Sequence, residues 1–117
     1  MYKDLKVYQR SYKFAISIYK FANTLPKDEQ FGFMSQLKRA ATSIPLNIAE
    51  GYGKEDTKAE LKRFLRMAKG SCSEMEVLLD MCKDLGFLES EAHRRYVDEI
   101  VELGGMLHGL IKSLNDS

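Results

Sequence analysis

Lys58, Lys62, Arg66 and Lys69 recur about one helical turn apart. At about 100° per residue they fall within roughly an 80° arc of a helix, beside its apolar stripe and not on it. Such a row can follow a phosphate backbone or pair with acidic groups on a neighbouring chain. It can equally be a solvated face balanced by Glu55, Asp56 and Glu60. Lys54, Lys13 and Arg10 complete the candidate nucleic-acid-binding set. There is no recognised groove-reading motif to support it.

Other reactive residue types lack the company that chemistry needs. Carboxylate-bridged metal sites in helical bundles use Glu-x-x-His on two helices. Here the only histidines are His93 and His108, and neither follows a glutamate by three. Cys72 and Cys82 have no nearby histidine pair for zinc. They stand ten residues apart in one predicted helix, roughly 15 Å along its axis. A disulfide needs Cα atoms within about 7 Å, so these read as buried free thiols. GYGKEDTK lacks the spacing of a phosphate-binding loop. Ser71 has no candidate base close in sequence, and Gly70 and Ser71 read as small packing residues. The expectation is a protein without catalytic activity, metal or cofactor.

The elements that position these residues are helical. The chain has 117 residues, 44% hydrophobic and 30% charged, which suits one helical domain spanning residues 1–117 and is too apolar for disorder. No apolar run nears the roughly 20 residues needed to span a bilayer, and MYKDLKVYQR has no apolar signal region, so cytoplasmic residence is expected. The first helix is predicted from about Asp4 to Leu25, with Leu5, Tyr8, Tyr12, Ala15, Tyr19 and Ala22 on its buried face. The second runs from about Phe31 to Tyr52, led by Phe33, Leu37, Ala41, Ile44 and Ile48. A third, from about Lys54 to Leu85, carries Leu61, Phe64, Leu65, Ala68, Cys72, Met75, Leu79 and Cys82 at three-and-four spacing. Gly86 sits where a left-handed cap belongs. The fourth starts near Ser90 and carries Tyr96, Ile100, Leu103, Leu107, Leu110 and Leu114. Gly104, Gly105 and Gly109 inside it each cost about 1 kcal/mol against alanine, which close helix contact or local flexibility would explain. Short connections predict an all-α, antiparallel up-down-up-down four-helix bundle.

Antiparallel packing makes charge spatial. Residues 1–70 hold 14 Lys/Arg against 7 Asp/Glu, whereas residues 71–117 hold 4 against 10. The start of the first helix would lie beside the start of the third, giving one basic end and one acidic end.

The segment Gln36–Gly53, QLKRAATSIPLNIAEGYG, breaks local rules. Pro45 removes a backbone bond in mid-helix and crowds the carbonyl of Ala41, predicting a kink. That carbonyl would turn to water, Thr42, Ser43 or a partner chain. Ala40, Ala41, Ser43 and Ala49 would let another helix approach closely. The kink can serve to fit the helix round its neighbours, or the segment can hold a ligand or partner.

With DLKVYQRSY, LPKDEQFGFMSQLKRAATSIPLNIAEGYG, ELKRFLRMAKGSCSEME, LGFLES and MLHGLIKSL, the chain resembles a known family over nearly its whole length. These are the four-helix-bundle proteins encoded in intervening sequences of bacterial large-subunit ribosomal RNA genes. Tyr8 stands where relatives often carry tryptophan, and the Gly104-Gly105 pair is unusual for them. The resemblance implies a homo-oligomer, a ring of five subunits, with no known catalysis. A related branch is the accessory protein of diversity-generating retroelements, which binds a reverse transcriptase and nucleic acid through a basic surface. The positions matching the family motif are Gln36, Arg39, Ser43, Pro45, Asn47, Glu50 and Gly51, then Glu60, Phe64, Gly70, Ser71 and Glu74. Among them Pro45, Gly51, Gly70 and Ser71 suit packing and backbone roles. Arg39, Asn47, Glu50, Glu60 and Glu74 are polar groups on or beside buried faces and need partners. Arg39, Asn47 and Glu50 are expected to join a polar network across helices or between subunits. Two functions follow: an oligomer gripping structured RNA or DNA with its basic ends, or a scaffold or accessory subunit whose stripe meets an acidic protein surface.

Overall fold

The computed structural model describes residues 1–53 and 57–115. Four helices carry the fold: α1 (Lys6–Ala22), α2 (Ser35–Gly53), α3 (Lys58–Asp84) and α4 (Ser90–Asn115). No strand occurs among the described residues. The body measures 46 × 23 × 20 Å, and no described helix is long and apolar enough to cross a membrane. α2 packs against α1 on one side and α3 on the other, and α3 packs against α4.

The core follows the three-and-four rows. Leu37, Ala41, Ile44 and Ile48 of α2 meet Leu65, Ala68, Met75 and Leu79 of α3, and Ile100, Leu103 and Leu107 of α4 close the cluster. α1 departs from its predicted face. Its buried residues are Val7, Ser11, Phe14, Ala15, Ile18 and Ala22, while Tyr12 and Tyr19 are exposed and Tyr8 is half-buried. The two rows share Ala15 and Ala22, and their mean directions lie roughly 80° apart on the helix. Val7, Phe14 and Ile18 have no polar atom to satisfy, whereas each tyrosine must keep a hydroxyl near water. The aliphatic row therefore wins the core. Buried Ser11 donates to the carbonyl of Tyr8 at 2.9 Å.

Helix ends follow capping chemistry more closely than hydrophobic period. α1 begins two residues later than predicted, after a short 3₁₀ turn, Tyr2–Asp4, and extended Leu5. The predicted start of the second helix is instead a π-helical turn, Gln30–Met34, with Gly32 at non-helical angles of φ −103 and ψ −109. A side chain at Gly32 would stand 3.1 Å from a carboxylate oxygen of Glu29. α3 begins at Lys58, because the Thr57 hydroxyl accepts the amide N–H of Glu60 at 3.2 Å. The earlier predicted start, Lys54, lies outside the described residues. α3 ends as predicted. Gly86 takes φ +84, its N–H reaches Lys83 O, and the N–H of Phe87 reaches Cys82 O. This pair of bonds is the Schellman cap, and it folds Phe87 and Leu88 onto the core.

Pro45 sits inside α2, which continues through it without a break. Thr42 donates to the Lys38 carbonyl and Ser43 to the Ala40 carbonyl, so both hydroxyls serve the preceding turn and not the carbonyl of Ala41. Buried Ala41, Ile44 and Ile48 seat the helix on the core to either side of Pro45.

Candidate nucleic-acid interface

Two pairs join α2 to α3: Ser43 Oγ with Ser71 Oγ at 2.5 Å, and Arg39 with Glu74. Along them the α2 number falls as the α3 number rises. The same opposition joins α3 to α4. Lys62 Nζ donates to Asn115 Oδ1 at 2.9 Å, Lys69 Nζ meets His108 Nδ1 at 3.0 Å, and His93 Nε2 meets Asp80 Oδ1 at 2.7 Å. The last turns of α4 therefore flank the first turns of α3, where the basic row lies.

Within that row, Lys58 and Arg66 are exposed and Lys62 and Lys69 half-buried. Lys62 and Lys69 are anchored by uncharged groups. An asparagine amide oxygen carries no charge, and an ammonium only donates, so His108 Nδ1 accepts and the ring holds its proton on Nε2. Among the described residues no carboxylate lies within ion-pair reach of Lys62, Arg66 or Lys69. Lys62 and Lys69 are fixed in place while their charge stays available. Arg63, just outside the arc, is different: it is bound to Glu60 at 2.6 Å and lies over the Phe64 ring at 4.4 Å.

Arg10 also differs from the row it was grouped with. Its guanidinium holds Glu99 at 2.5 Å and Glu102 at 2.8 Å, so two α4 carboxylates offset its charge. It ties α1 to α4 instead of adding to the basic surface. The hydrogen bond from Arg10, and then its charge, hold the Glu102 carboxyl below its ordinary value of 4.5. A depressed carboxyl contributes stability above its unfolded pKa and loses it as pH falls through the folded one. Glu102→Gln is thus expected to flatten the acid limb of the stability profile below about pH 4.5, read by thermal melts across pH. Lys13 is exposed on α1 beside Gln9 and Tyr12.

The motif residues divide by contact. Gly51 is buried, and a Cβ there would stand 3.0 Å from Phe64 Cβ and 3.1 Å from Leu61 Cδ1. Buried Phe64 thus rests on the α2 backbone. Gly70, expected to pack, is exposed with nothing within 4 Å of such a Cβ. Gly105 and Gly109 are equally open, and Gly104 has ordinary room, 3.7 Å from Cys72 Cβ, so close helix contact does not explain these glycines. Arg39 pairs with Glu74 on α3, whereas Asn47 donates to Ser43 O of its own helix at 2.8 Å. Within the described chain Arg39 and Asn47 thus serve separate contacts. Exposed Glu50 adds its charge to that of Glu60 in holding Arg63 protonated. Gln36 is exposed in the first turn of α2. Both cysteines are free and buried, and burial pushes their thiols up, Cys72 to about 12 and Cys82 to about 11. Among the described residues no three His, Cys, Asp or Glu side chains group as metal ligands. The contribution of Asn115 and His108 has no signal in their own neighbourhood of sequence; it comes from helix pairing.

A four-helix protein with a row of cations along the first turns of α3 is the class that these observations define. The family profile of the 23S rRNA-intervening sequence protein matches residues 3–109, and the chain belongs to that family. A solved structure of similar fold is a protein of unknown function from the S23 ribosomal protein family of Bacteroides thetaiotaomicron. It has a TM-score of 0.83 at 24% identity, over 91% of this chain and 95% of that one. No curated protein matches the sequence.

Proposed function

We propose that this chain is a non-catalytic up-down-up-down bundle that assembles with copies of itself and binds structured nucleic acid through its basic end. One observation carries the reading: Lys62 and Lys69 are held by neutral partners on α4, so their charge is ordered yet not offset. Lys58 and Arg66 extend the row along the same arc of α3. Fixed cations at turn spacing lose little side-chain freedom when they meet phosphates, which favours contact. The pairings between α2 and α3, and between α3 and α4, support the antiparallel order. RNA is preferred over DNA, in keeping with the family's description. A ring, five-membered as the resemblance implies, would multiply one modest patch into several. The cytoplasm suits two reduced thiols.

Salt dependence of RNA retention tests the reading. Phosphate contact weakens along a straight line in log salt, with a slope set by the number of cations engaged. An acidic protein surface, such as that of a partner enzyme, would give protein capture without RNA retention and overturn it.

A further inference from the structure

The faces of α1 and α2 that turn away from the core leave an apolar groove of about 370 Å³. It is lined by Tyr8, Tyr12, Ile16, Pro45, Leu46 and Ala49. Leu46 is 64% exposed and Tyr12 53%. Cations border it, since Lys3 and Lys13 lie beside Tyr8 and Tyr12. α3 carries a second unpartnered row near its end. Val77, Met81 and Leu85 recur every four residues, with Val77 58% and Leu85 55% exposed. Here the flanking charge is acidic, from exposed Asp84 and from Asp80, whose carboxylate also meets His93 of α4. Lys83 turns to the α4 side, into a hollow with His93 and Asp98.

We propose that the groove of one copy receives the α3 ridge of the next. This rests on the self-assembly in the reading above and assigns its surfaces. Apolar lining meets apolar ridge, and basic borders meet acidic flanks. The ridge spans about 12 Å from Val77 to Leu85, and the α1 wall of the groove about 12 Å from Tyr8 to Ile16, so the two match in length. The two faces lie on different helices and differ from each other, so the contact is heterologous. Repeated by a rotation that closes, such a contact makes a ring. Pro45 gains a role as part of the groove wall.

A heterologous contact makes a distinctive prediction for mixtures. Leu46→Glu destroys the groove and leaves the ridge; Met81→Glu destroys the ridge and leaves the groove. Both positions are exposed, and circular dichroism melts confirm folding, with Ile16→Glu and Val77→Glu as a second pair. By light scattering after gel filtration, the wild type runs as an oligomer and each variant alone as a 13.4 kDa monomer. Their equimolar mixture runs as a dimer, joined by the one intact groove and the one intact ridge. A folded variant that keeps the wild-type mass overturns the proposal, as does a mixture that stays monomeric. A monomeric wild type overturns self-assembly itself, and the proposal with it. A wild type that assembles but retains no RNA overturns only the nucleic-acid reading.

Discussion

Reversing Lys58, Lys62, Arg66 and Lys69 to glutamate together is expected to abolish RNA retention while leaving oligomer mass and melting temperature near those of the wild type. The side chains project from one arc of α3, away from the buried row of Phe64, Leu65, Ala68 and Cys72. Lys62 and Lys69 lose only single contacts to Asn115 and His108, both at exposed positions, and such surface contacts contribute at most about 1 kcal/mol. The electrostatic effect is far larger. Four favourable phosphate contacts become four repulsive ones, and each contact removed also lowers the salt slope by about one unit. Filter retention of RNA at low salt reads the loss, and light scattering reads the mass. An oligomer that falls apart would place these cations at a subunit boundary instead.

Gly51→Ala is expected to destabilise the fold, although alanine is the better helix former. The propensity gain is about 1 kcal/mol. Against it, the new methyl would lie 3.0 Å from Phe64 Cβ, an atom fixed to the α3 backbone that no rotamer change can withdraw. Overpacking of this kind costs about 1–3 kcal/mol, so the net loss is about 1 kcal/mol, and Gly51→Val adds a further branch in the same space. Gly70→Ala, with open space around it, should change stability in the opposite direction by up to about 1 kcal/mol. Thermal melts separate the pair, at roughly 4 °C per kcal/mol in a domain of this size.

The contrast between these glycines shows what the sequence made legible. Period and punctuation revealed four helices, because Leu65, Ala68, Cys72, Met75 and Leu79 repeat as a buried row must, and Gly86 marks its end. α1 misled, because two apolar rows share one helix and only packing decides between them: Val7, Phe14 and Ile18 went inward, and Tyr12 and Tyr19 stayed out. The π-helical turn before α2 was hidden, since Gly32 reads as an ordinary residue of a periodic stretch.

Site chemistry was legible as residue types and not as partners. The row from Lys58 to Lys69 can be read at 100° per residue. Whether a given cation is offset depends on which helix lies beside it. Arg10 met Glu99 and Glu102, 89 and 92 residues away in sequence, whereas Lys62 met Asn115, 53 away. Arg10 and Lys62 look alike locally; tertiary pairing alone makes one a structural tie and the other an available charge. Gly51 and Gly70 likewise share a motif and differ only in what stands opposite.

The salt dependence of RNA affinity is the most direct measure of the central claim that the cationic row of α3, with Lys62 and Lys69 held by neutral partners, faces phosphates. For the wild type, log affinity against log salt is expected to be linear, with a slope of about −3 or steeper if four cations engage a single strand. In the variant with Lys58, Lys62, Arg66 and Lys69 all changed to alanine, the slope should become shallower by about that amount for each copy engaged. A wild type that retains no RNA at low salt, or a slope that the alanine variant leaves unchanged, would contradict it.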